Sequence, residues 1–410
     1  MEYGLIGKKL EHSFSKEIHN MINSYNYELK EISSENIDSF LKEKNFKGIN
    51  VTIPYKETAI PYLDYVDDKA KLIGSVNTIY NKEGTLYGYN TDYFGLKALI
   101  IKSKVEIKGF TALILGTGAT AKTAEVVLKD LEVSSIKFVS RTRKDNAISY
   151  DDAENLYTDV DLIVNTTPCG MYPNNEELII DLEKFKNLKL VVDVIYNPLK
   201  TNLCLLAEKL NIPYASGLYM LVAQAIYASG IFTDCLVDTN KIDEIYHKIL
   251  KNKRNIVLIG MPSSGKTTIG NLLSNVINKN LIDTDKLIEE KIGMSIKEYI
   301  NSFGEESFRK IEKEIIVNVS KRNNQIISTG GGVIKDYDNI NNLKQNGIII
   351  FIDRSLDKLT ATNSRPLSNN YEDLLKLYNE RIHLYKEYAD YIVTNNSDLD
   401  SVVKEILKYI

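Results

Sequence analysis

Short runs rich in β-branched and other apolar residues recur along the chain between stretches of helical spacing. They are YGLIG near the start, GINVTI at 48–53, TALILG at 111–116, IKFVS at 136–140, DLIVNT at 161–166, LVVDVIY at 190–196, NIVLIG at 255–260 and GIIIFID at 347–353. Strands alternating with helices predict parallel sheets with both faces covered, an α/β architecture. One segment differs. From about 235 to 254, DCLVDTNKIDEIYHKILKNKRN is polar, keeps a helical spacing of Ile242, Ile245 and Ile249, and ends in a basic cluster before a new strand. It reads as a final helix plus linker. Glycine-rich strand-to-helix turns stand once on each side of it, in different forms, so two nucleotide sites are expected.

The length agrees with more than one unit, since 410 residues at roughly 150 per domain give two or three. Apolar residues at 43% and charged ones at 26% exclude wholesale disorder. With 51 Lys+Arg against 55 Asp+Glu the net charge is −4, so no overall positive field exists to hold nucleic acid or an anionic membrane. Neither partner is expected, and anionic small molecules need local basic sites. The 26 tyrosines and 11 phenylalanines are read at this charge as packing residues, not as a base-stacking platform. Cys169, Cys204 and Cys235 form neither a disulfide framework nor a CxxC metal site. The start, MEYGLIGKKLEHS, lacks a basic region leading into a long apolar core. A cytoplasmic location is expected. His12, His19, His247 and His383 show no metal-ligand spacing, so no zinc and no histidine general base are expected.

In TALILGTGATAKTAEVVLKDL an apolar strand runs into Gly116-Thr117-Gly118-Ala119-Thr120-Ala121 and then a helix. The first glycine permits the tight turn, the second lets a pyrophosphate approach the backbone, and small Ala121 lets the helix pack on the strand. The helix N-terminus supplies the anion site. Where the next strand ends, an NAD site would carry an acid, but the chain has Ser140-Arg141-Thr142-Arg143-Lys144. Guanidinium groups there suit a 2′-phosphate, so NADP is expected over NAD. Solvated charges after a strand are the plainer alternative.

Ahead of this turn lies a polar set: Ser13 and Ser15 in EHSFS, Asn50, Thr52 and Lys56 in NVTIPYKE, Asn77 in GSVNTIY, and Asn90-Thr91-Asp92 in GYNTDYFG. Such groups could grip a polyhydroxy carboxylic acid, and a Lys–Asp pair could move its hydroxyl proton during hydride transfer. Taken singly, Ser and Asn in turns are commonly backbone caps. Taken together, in order and spacing, they resemble the shikimate dehydrogenase family, and the resemblance continues through NTTPCGM at 165–171, DVIYNP at 193–198, Thr201 and GLYMLVAQ at 217–224. It covers roughly residues 1–235. The resemblance implies that Ser13, Ser15, Thr52, Asn77, Tyr196 and Gln224 surround shikimate, with Lys56 the proton donor–acceptor beside the C3 oxygen and Asp92 its partner. It implies a cofactor held by Gly116 to Ala121, Ser140 to Lys144, Thr166, Val194 and Gly217. It also implies a discontinuous substrate domain, 1–97 and 217–240, around a Rossmann NADP domain at 98–216. The family commonly has proline where Lys9 and Lys16 stand, glycine where Glu11 stands, and asparagine where Ser140 stands.

Beyond the boundary, Gly260-Met261-Pro262-Ser263-Ser264-Gly265-Lys266-Thr267 follows the strand NIVLI and precedes an apolar helix, satisfying GxxxxGK[ST] in the setting it requires. Backbone N–H groups of Ser263 to Thr268 can wrap phosphates, Lys266 can reach the β/γ oxygens, and the Thr267 hydroxyl can join Mg²⁺. A buried lysine in a glycine-rich turn has no evident packing use. Downstream come Asp283-Thr284-Asp285, Phe308-Arg309-Lys310-Ile311-Glu312, Gly330-Gly331-Gly332, Arg365-Pro366-Leu367 and Arg381 in RIHLYKEYAD. Two aspartates at one strand end could divide labour between metal and acceptor hydroxyl, and arginines can hold a carboxylate by paired hydrogen bonds.

This set resembles shikimate kinase over about 254–410. The resemblance assigns Asp285, Arg309, Gly331 and Arg381 to shikimate, with Asp285 nearest the hydroxyl to be phosphorylated. Thr267 and, through water, Asp283 would serve Mg²⁺, and Arg365 would close over ATP on a mobile lid at about 354–372. The domains expected are thus the two dehydrogenase parts, a linker at 241–254, and a P-loop kinase domain at 255–410 with a parallel sheet. The expected function is NADPH-dependent reduction of 3-dehydroshikimate to shikimate, then MgATP-dependent phosphorylation of shikimate. The product of one site is the substrate of the other. Two rivals are weighed: a quinate- or NAD-using dehydrogenase half, and a non-catalytic scaffold in one half. Joint retention of Lys56, Asp92, Lys266, Asp283 and Asp285 argues against the scaffold. The sequence does not set an oligomeric state.

Overall fold

The computed structural model describes residues 1–10, 13–22, 25–142, 147–359 and 371–410, and divides into two compact units, Met1–Ile249 and Leu250–Ile410. In the first unit, one sheet has the strand order Tyr27–Glu31, Tyr3–Gly7, Gly48–Val51, Thr78–Lys82, Thr85–Tyr89, Tyr65–Val66. Its first three strands are parallel, but Thr78–Lys82 is antiparallel to both neighbours. The sheet is therefore mixed, where the alternation of strands and helices predicted a parallel one. The cause lies in Glu83 and Gly84, whose φ values are 54° and 88°, in a loop closed by Lys82 opposite Thr85. Two left-handed residues make a hairpin turn, and so short a loop joins only antiparallel strands.

The second sheet of this unit is parallel throughout, in the order Tyr214–Ser216, Leu190–Asp193, Leu162–Asn165, Thr111–Leu115, Ser135–Val139. Continuous apolar runs suit strands buried on both faces, and Leu113, Ile114, Ile163, Val164, Val191 and Val192 have no exposed surface. From Thr111–Leu115 the chain steps to Ser135–Val139 on one side, then crosses to Leu162–Asn165 on the other. Strand order reverses there, which opens a crevice beyond the carboxyl ends of these strands.

Helix Leu218–Thr233 then packs against Thr91–Lys102 and Ser15–Ile22. Gly95 permits the first crossing, because a Cβ there would lie 2.7 Å from the Met220 carbonyl oxygen. The chain thus returns to the elements around the first sheet. Residues expected as helix plus linker are helical through Asn240–Lys253, with Ile242, Ile245 and Ile249 buried. The boundary between the units falls inside this helix, not in a loop, because a stripe of three isoleucines has to be covered.

The second unit holds a five-stranded parallel sheet, in the order Asn280–Asp283, Gln325–Ser328, Asn255–Ile259, Gly347–Asp353, Tyr391–Thr394. Alternate side chains enter opposite cores, as the pleat requires. Val257, Ile259, Ile349 and Phe351 join one cluster with Ile316, Leu377 and Tyr385 from helices Glu305–Ser320 and Tyr371–Tyr388. Ile256, Leu258, Ile350 and Ile352 join the other with Ile269, Leu273 and Val402, from Lys266–Ile277 and Leu399–Ile406. Helices therefore cover both faces. Among the described residues, no helix is long and apolar enough to cross a membrane.

Candidate active sites

In the first unit, Lys56 stands in the one-turn helix Tyr55–Thr58 and Asp92 in the first turn of Thr91–Lys102. Asn90 caps that helix by accepting the Tyr93 N–H at 3.2 Å. The Lys56 ammonium donates to the Asp92 carboxylate at 2.5 Å, with 14% and 12% of the two side chains exposed. Beside Asp92, buried Asn77 accepts the Thr91 N–H at 2.7 Å, and the Thr91 hydroxyl lies 3.4 Å from Gln224 Oε1. Asn77, Thr91 and Gln224 thereby form one hydrogen-bonded group, next in sequence to the Lys56–Asp92 pair. The Ser15 N–H donates to the Ser13 hydroxyl at 3.2 Å, and Phe14 between them packs on Tyr196 with ring centroids 5.2 Å apart. Burial pushes the Tyr196 hydroxyl up to about 12. Thr52 lies against Gly7, where a Cβ would meet its methyl at 2.6 Å.

The crevice of the second sheet carries the glycine-rich turn. Gly116 has φ +106°, and a Cβ there would stand 2.9 Å from Thr166 Oγ1, so the position favours glycine on conformation and on space. Gly118 caps helix Ala119–Asp130 with extended backbone and no side chain in the way. Ala121 is buried beneath the turn. The N–H groups of Ala119 to Ala121 stand in the first turn of this helix, where no intrahelical carbonyl precedes them. At the end of Ser135–Val139, Ser140 accepts the Thr142 N–H at 3.3 Å and Arg141 is exposed. Arg143 and Lys144 lie outside the described residues.

Thr166 donates its hydroxyl to the Leu115 carbonyl at 2.6 Å, which fixes the crevice wall. Val194 and Gly217 meet directly, since a Cβ at 217 would lie 2.1 Å from the Val194 carbonyl oxygen. Behind them Asp193 is fully buried. It accepts from Thr201 Oγ1 at 2.6 Å, the Ile195 N–H at 3.0 Å and Asn165 Nδ2 at 3.1 Å. Burial nevertheless pushes its carboxyl up to about 7.

In the second unit a cleft of about 550 Å³ is lined by the phosphate-type loop, Asp283, Asp285, Arg309, the glycine triplet and Arg381. Gly260, Ser263 and Gly265 take φ of 151°, 65° and 94°, which wraps the loop over the end of its strand. Lys266, only 8% exposed, donates to the Gly260 and Met261 carbonyls at 2.9 and 3.0 Å. The Thr267 hydroxyl donates to Asp283 at 2.7 Å and lies 3.1 Å from the Ser328 hydroxyl. An all-oxygen set of this kind suits a hard divalent cation. Ser264 Oγ is buried without a partner.

Opposite the loop, a Cβ on Gly330 would lie 2.6 Å from Asp285 Oδ1, and one on Gly332 would lie 2.4 Å from Arg309 Nη2. The triplet is therefore small so that carboxylate and guanidinium can approach backbone. Arg309 is oriented by Glu305 at 2.9 Å and Glu312 at 2.6 Å, and burial raises the Glu312 carboxyl above its ordinary value. Arg381 donates to the Gly331 carbonyl at 3.0 Å, the Tyr385 hydroxyl donates to the same oxygen, and Arg381 Nε is buried without a partner among the described residues. Arg365, and with it most of the expected lid, lies outside the described residues.

A family model described as shikimate dehydrogenase substrate binding domain matches residues 5–79, and one described as shikimate kinase matches 262–410. Shikimate dehydrogenase (NADP(+)) of Clostridium perfringens is 40% identical over 265 residues, 60% of this chain and 97% of that relative. The chain belongs to the shikimate dehydrogenase family. A shikimate kinase domain follows in the same polypeptide. Among solved structures, shikimate dehydrogenase 1 of Peptoclostridium difficile is 36% identical with a TM-score of 0.57, covering 61% of this chain and 98% of that one. The Thermus thermophilus shikimate 5-dehydrogenase, in complex with NADP(H) and shikimate, is 26% identical with a TM-score of 0.54, over 60% and 99% of the chains.

Two residues beside the dehydrogenase and kinase sites escaped the motifs. Asn395, from the far end of the kinase domain, donates to the Ser264 carbonyl at 2.7 Å and so braces the loop. No local signal could find it, because the two residues are 131 positions apart. Asp193 stood inside the quoted DVIYNP without a role. Only the fold puts Thr201, Asn165 and Ile195 around it.

Proposed function

We propose that this chain reduces 3-dehydroshikimate to shikimate with NADPH and then phosphorylates shikimate at its 3-hydroxyl with MgATP. The observation that carries the first half is the enclosed Lys56–Asp92 pair at 2.5 Å, with Thr91, the residue before Asp92, bonded to Asn77 and Gln224. Reduction adds a hydride to the C3 carbon and a proton to its oxygen; NADPH, when bound, supplies the hydride. Lys56 gives the proton to that oxygen and Asp92 stabilises and orients its ammonium group. Ser13, Ser15, Thr52, Asn77, Tyr196 and Gln224 hold the ring substituents. Residues 1–97 and 217–240 form the shikimate-binding domain and 98–216 the NADP domain, with Gly116 to Ala121, Thr166, Val194 and Gly217 along the cofactor and Ser140 to Arg143 at its 2′-phosphate. The glycine-rich turn at Gly116 and the lack of an acid at Ser140 support NADP.

In the kinase domain, MgATP supplies the phosphoryl group. The loop from Ser263 to Thr268 binds phosphate oxygens through backbone N–H groups, and Lys266 neutralises charge on them. Thr267 and Asp283 would hold Mg²⁺. Asp285 accepts the proton of the 3-hydroxyl, Arg309 and Arg381 bind the shikimate carboxylate beside Gly331, and Arg365 adds charge over the phosphates.

The test is one incubation of the full chain with 3-dehydroshikimate, NADPH and MgATP, followed by mass spectrometry of shikimate and shikimate 3-phosphate. The phosphate should appear with wild type, and shikimate alone should accumulate with Lys266→Ala. Neither product should form with Lys56→Ala. Shikimate without phosphate in the wild type would refute the kinase half. No product from folded wild type would refute the dehydrogenase half, with added shikimate then testing the kinase separately.

A further inference from the structure

The kinase cleft receives a second strand-end cation. Arg354 follows strand Gly347–Asp353, which pairs in parallel with the strand feeding the phosphate loop, Phe351 opposite Ile259. The two strand ends are so close that a Cβ on Gly260 would meet the Ile352 carbonyl oxygen at 2.6 Å. Adjacent strands lie about 5 Å apart. Arg354 therefore emerges one spacing from the Gly260 and Met261 carbonyls that hold Lys266, but three spacings, roughly 15 Å, from the strand that ends in Asp283.

Its side chain lines the same cleft as Lys266, Leu377 and Arg381. Arg354 Nε is buried without a hydrogen-bond partner, and among the described residues no carboxylate pairs with this guanidinium. Arg309 differs, being held by Glu305 and Glu312. An unmet guanidinium donor is costly unless an anion arrives, and its planar fork matches phosphate oxygens.

We propose that Arg354 is a contact for the polyphosphate chain of the nucleotide, on the wall of the cleft away from Asp285 and Arg309. It works beside Lys266 from a rigid strand end. This rests on reading the second unit as an ATP-dependent kinase.

Titration calorimetry on the full-length protein tests it, using Mg²⁺ with the non-hydrolysable triphosphate AMP-PNP, and shikimate separately. Arg354→Gln should weaken AMP-PNP by about 10- to 100-fold, the loss of one charge-assisted hydrogen bond, and leave shikimate affinity within about twofold. Shikimate binding in the same domain reports that the variant is folded, and Arg354→Lys should recover part of the loss by restoring charge without the fork. Unchanged AMP-PNP affinity in Arg354→Gln, beside normal binding by wild type, overturns the assignment while leaving the kinase reading intact. Equal losses for both ligands make Arg354 a structural residue and overturn it as well. A wild type that binds neither ligand nor phosphorylates shikimate refutes the kinase reading and this contact with it.

Discussion

Lys56 and Asp92 form an ion pair in a place that water scarcely reaches, with 14% and 12% of their side chains exposed. Replacing Asp92 by Asn removes the negative partner but keeps shape. A general acid–base pair contributes typically ~10²–10⁴-fold, so Asp92→Asn should lower kcat for shikimate oxidation within that range and leave shikimate affinity nearly unchanged in a direct binding measurement. Equal falls in affinity and turnover would make Asp92 a binding residue only. Two other buried groups set the response to pH. Burial pushes His19, stacked on Tyr27 at 3.8 Å, down to about 3, and Asp193 up to about 7. His19 stays neutral when folded but takes a proton when unfolded below about 6.5. Its stability contribution is complete above that pH and is lost as pH falls toward 3. Asp193 does the reverse: its contribution is complete below about 4 and is lost as pH rises through 7. The two slopes oppose each other between about 4 and 6.5, so wild type should show a shallow profile. Urea midpoints measured from pH 4.5 to 7.5 should rise more steeply with pH in Asp193→Asn and fall with pH in His19→Gln. Parallel profiles in all three proteins would refute both assignments.

Elements show what the sequence could and could not reveal. Every run picked out by its apolar pattern contributes a strand; most, such as Leu162–Asn165 and Asn255–Ile259, are buried on both faces and have no exposed position to disguise them. The hairpin Thr78–Lys82 and Thr85–Tyr89 was missed, since Thr, Asn, Tyr and Lys dilute its apolar pattern and its signal is the two-residue turn Glu83-Gly84. Glycines were legible in the strand-to-helix turns, as at Gly116 and Gly265, where φ is 106° and 94°. They were illegible where backbone meets backbone. Gly217 is such a case: its φ is −62°, yet a Cβ would sit 2.1 Å from the Val194 carbonyl oxygen and 2.8 Å from that of Ile195. Neither obstacle is a flexible side chain, so the strand end or the start of helix Leu218–Thr233 has to move. Gly217→Ala should destabilise the first unit by ~1–3 kcal/mol and raise KM for NADPH by moving Val194, read by urea unfolding and by initial rates. Normal stability with normal KM would mean that the contact relaxes freely. In the kinase domain, Asn395→Ala leaves the Ser264 carbonyl without its 2.7 Å donor. It should cost about 1–3 kcal/mol for an unsatisfied buried group and weaken MgADP more than shikimate in equilibrium titrations.

At the scale of the molecule, two units with separate cores share one chain, and the chemistry of the first yields the substrate proposed for the second. The site motifs were legible because they are local, a few residues each on a strand-to-helix turn or a helix start. The boundary was harder to see, because Ile242, Ile245 and Ile249 make a buried helical face out of a segment whose composition is that of a linker. Separate cores have a thermodynamic consequence. A ligand that binds only the folded form of one unit stabilises that unit by RT ln(1 + [L]/Kd), about 2.7 kcal/mol at 100 times Kd. NADP⁺ should therefore raise one calorimetric transition of the full chain, and MgADP the other, each by several degrees. Lys266→Ala should reduce the MgADP shift without touching the NADP⁺ shift, because its ammonium donates to carbonyls of the loop of the second unit. If either nucleotide raised both transitions together, the units would unfold as one cooperative body, and occupancy of one site would have to be felt in the stability of the other.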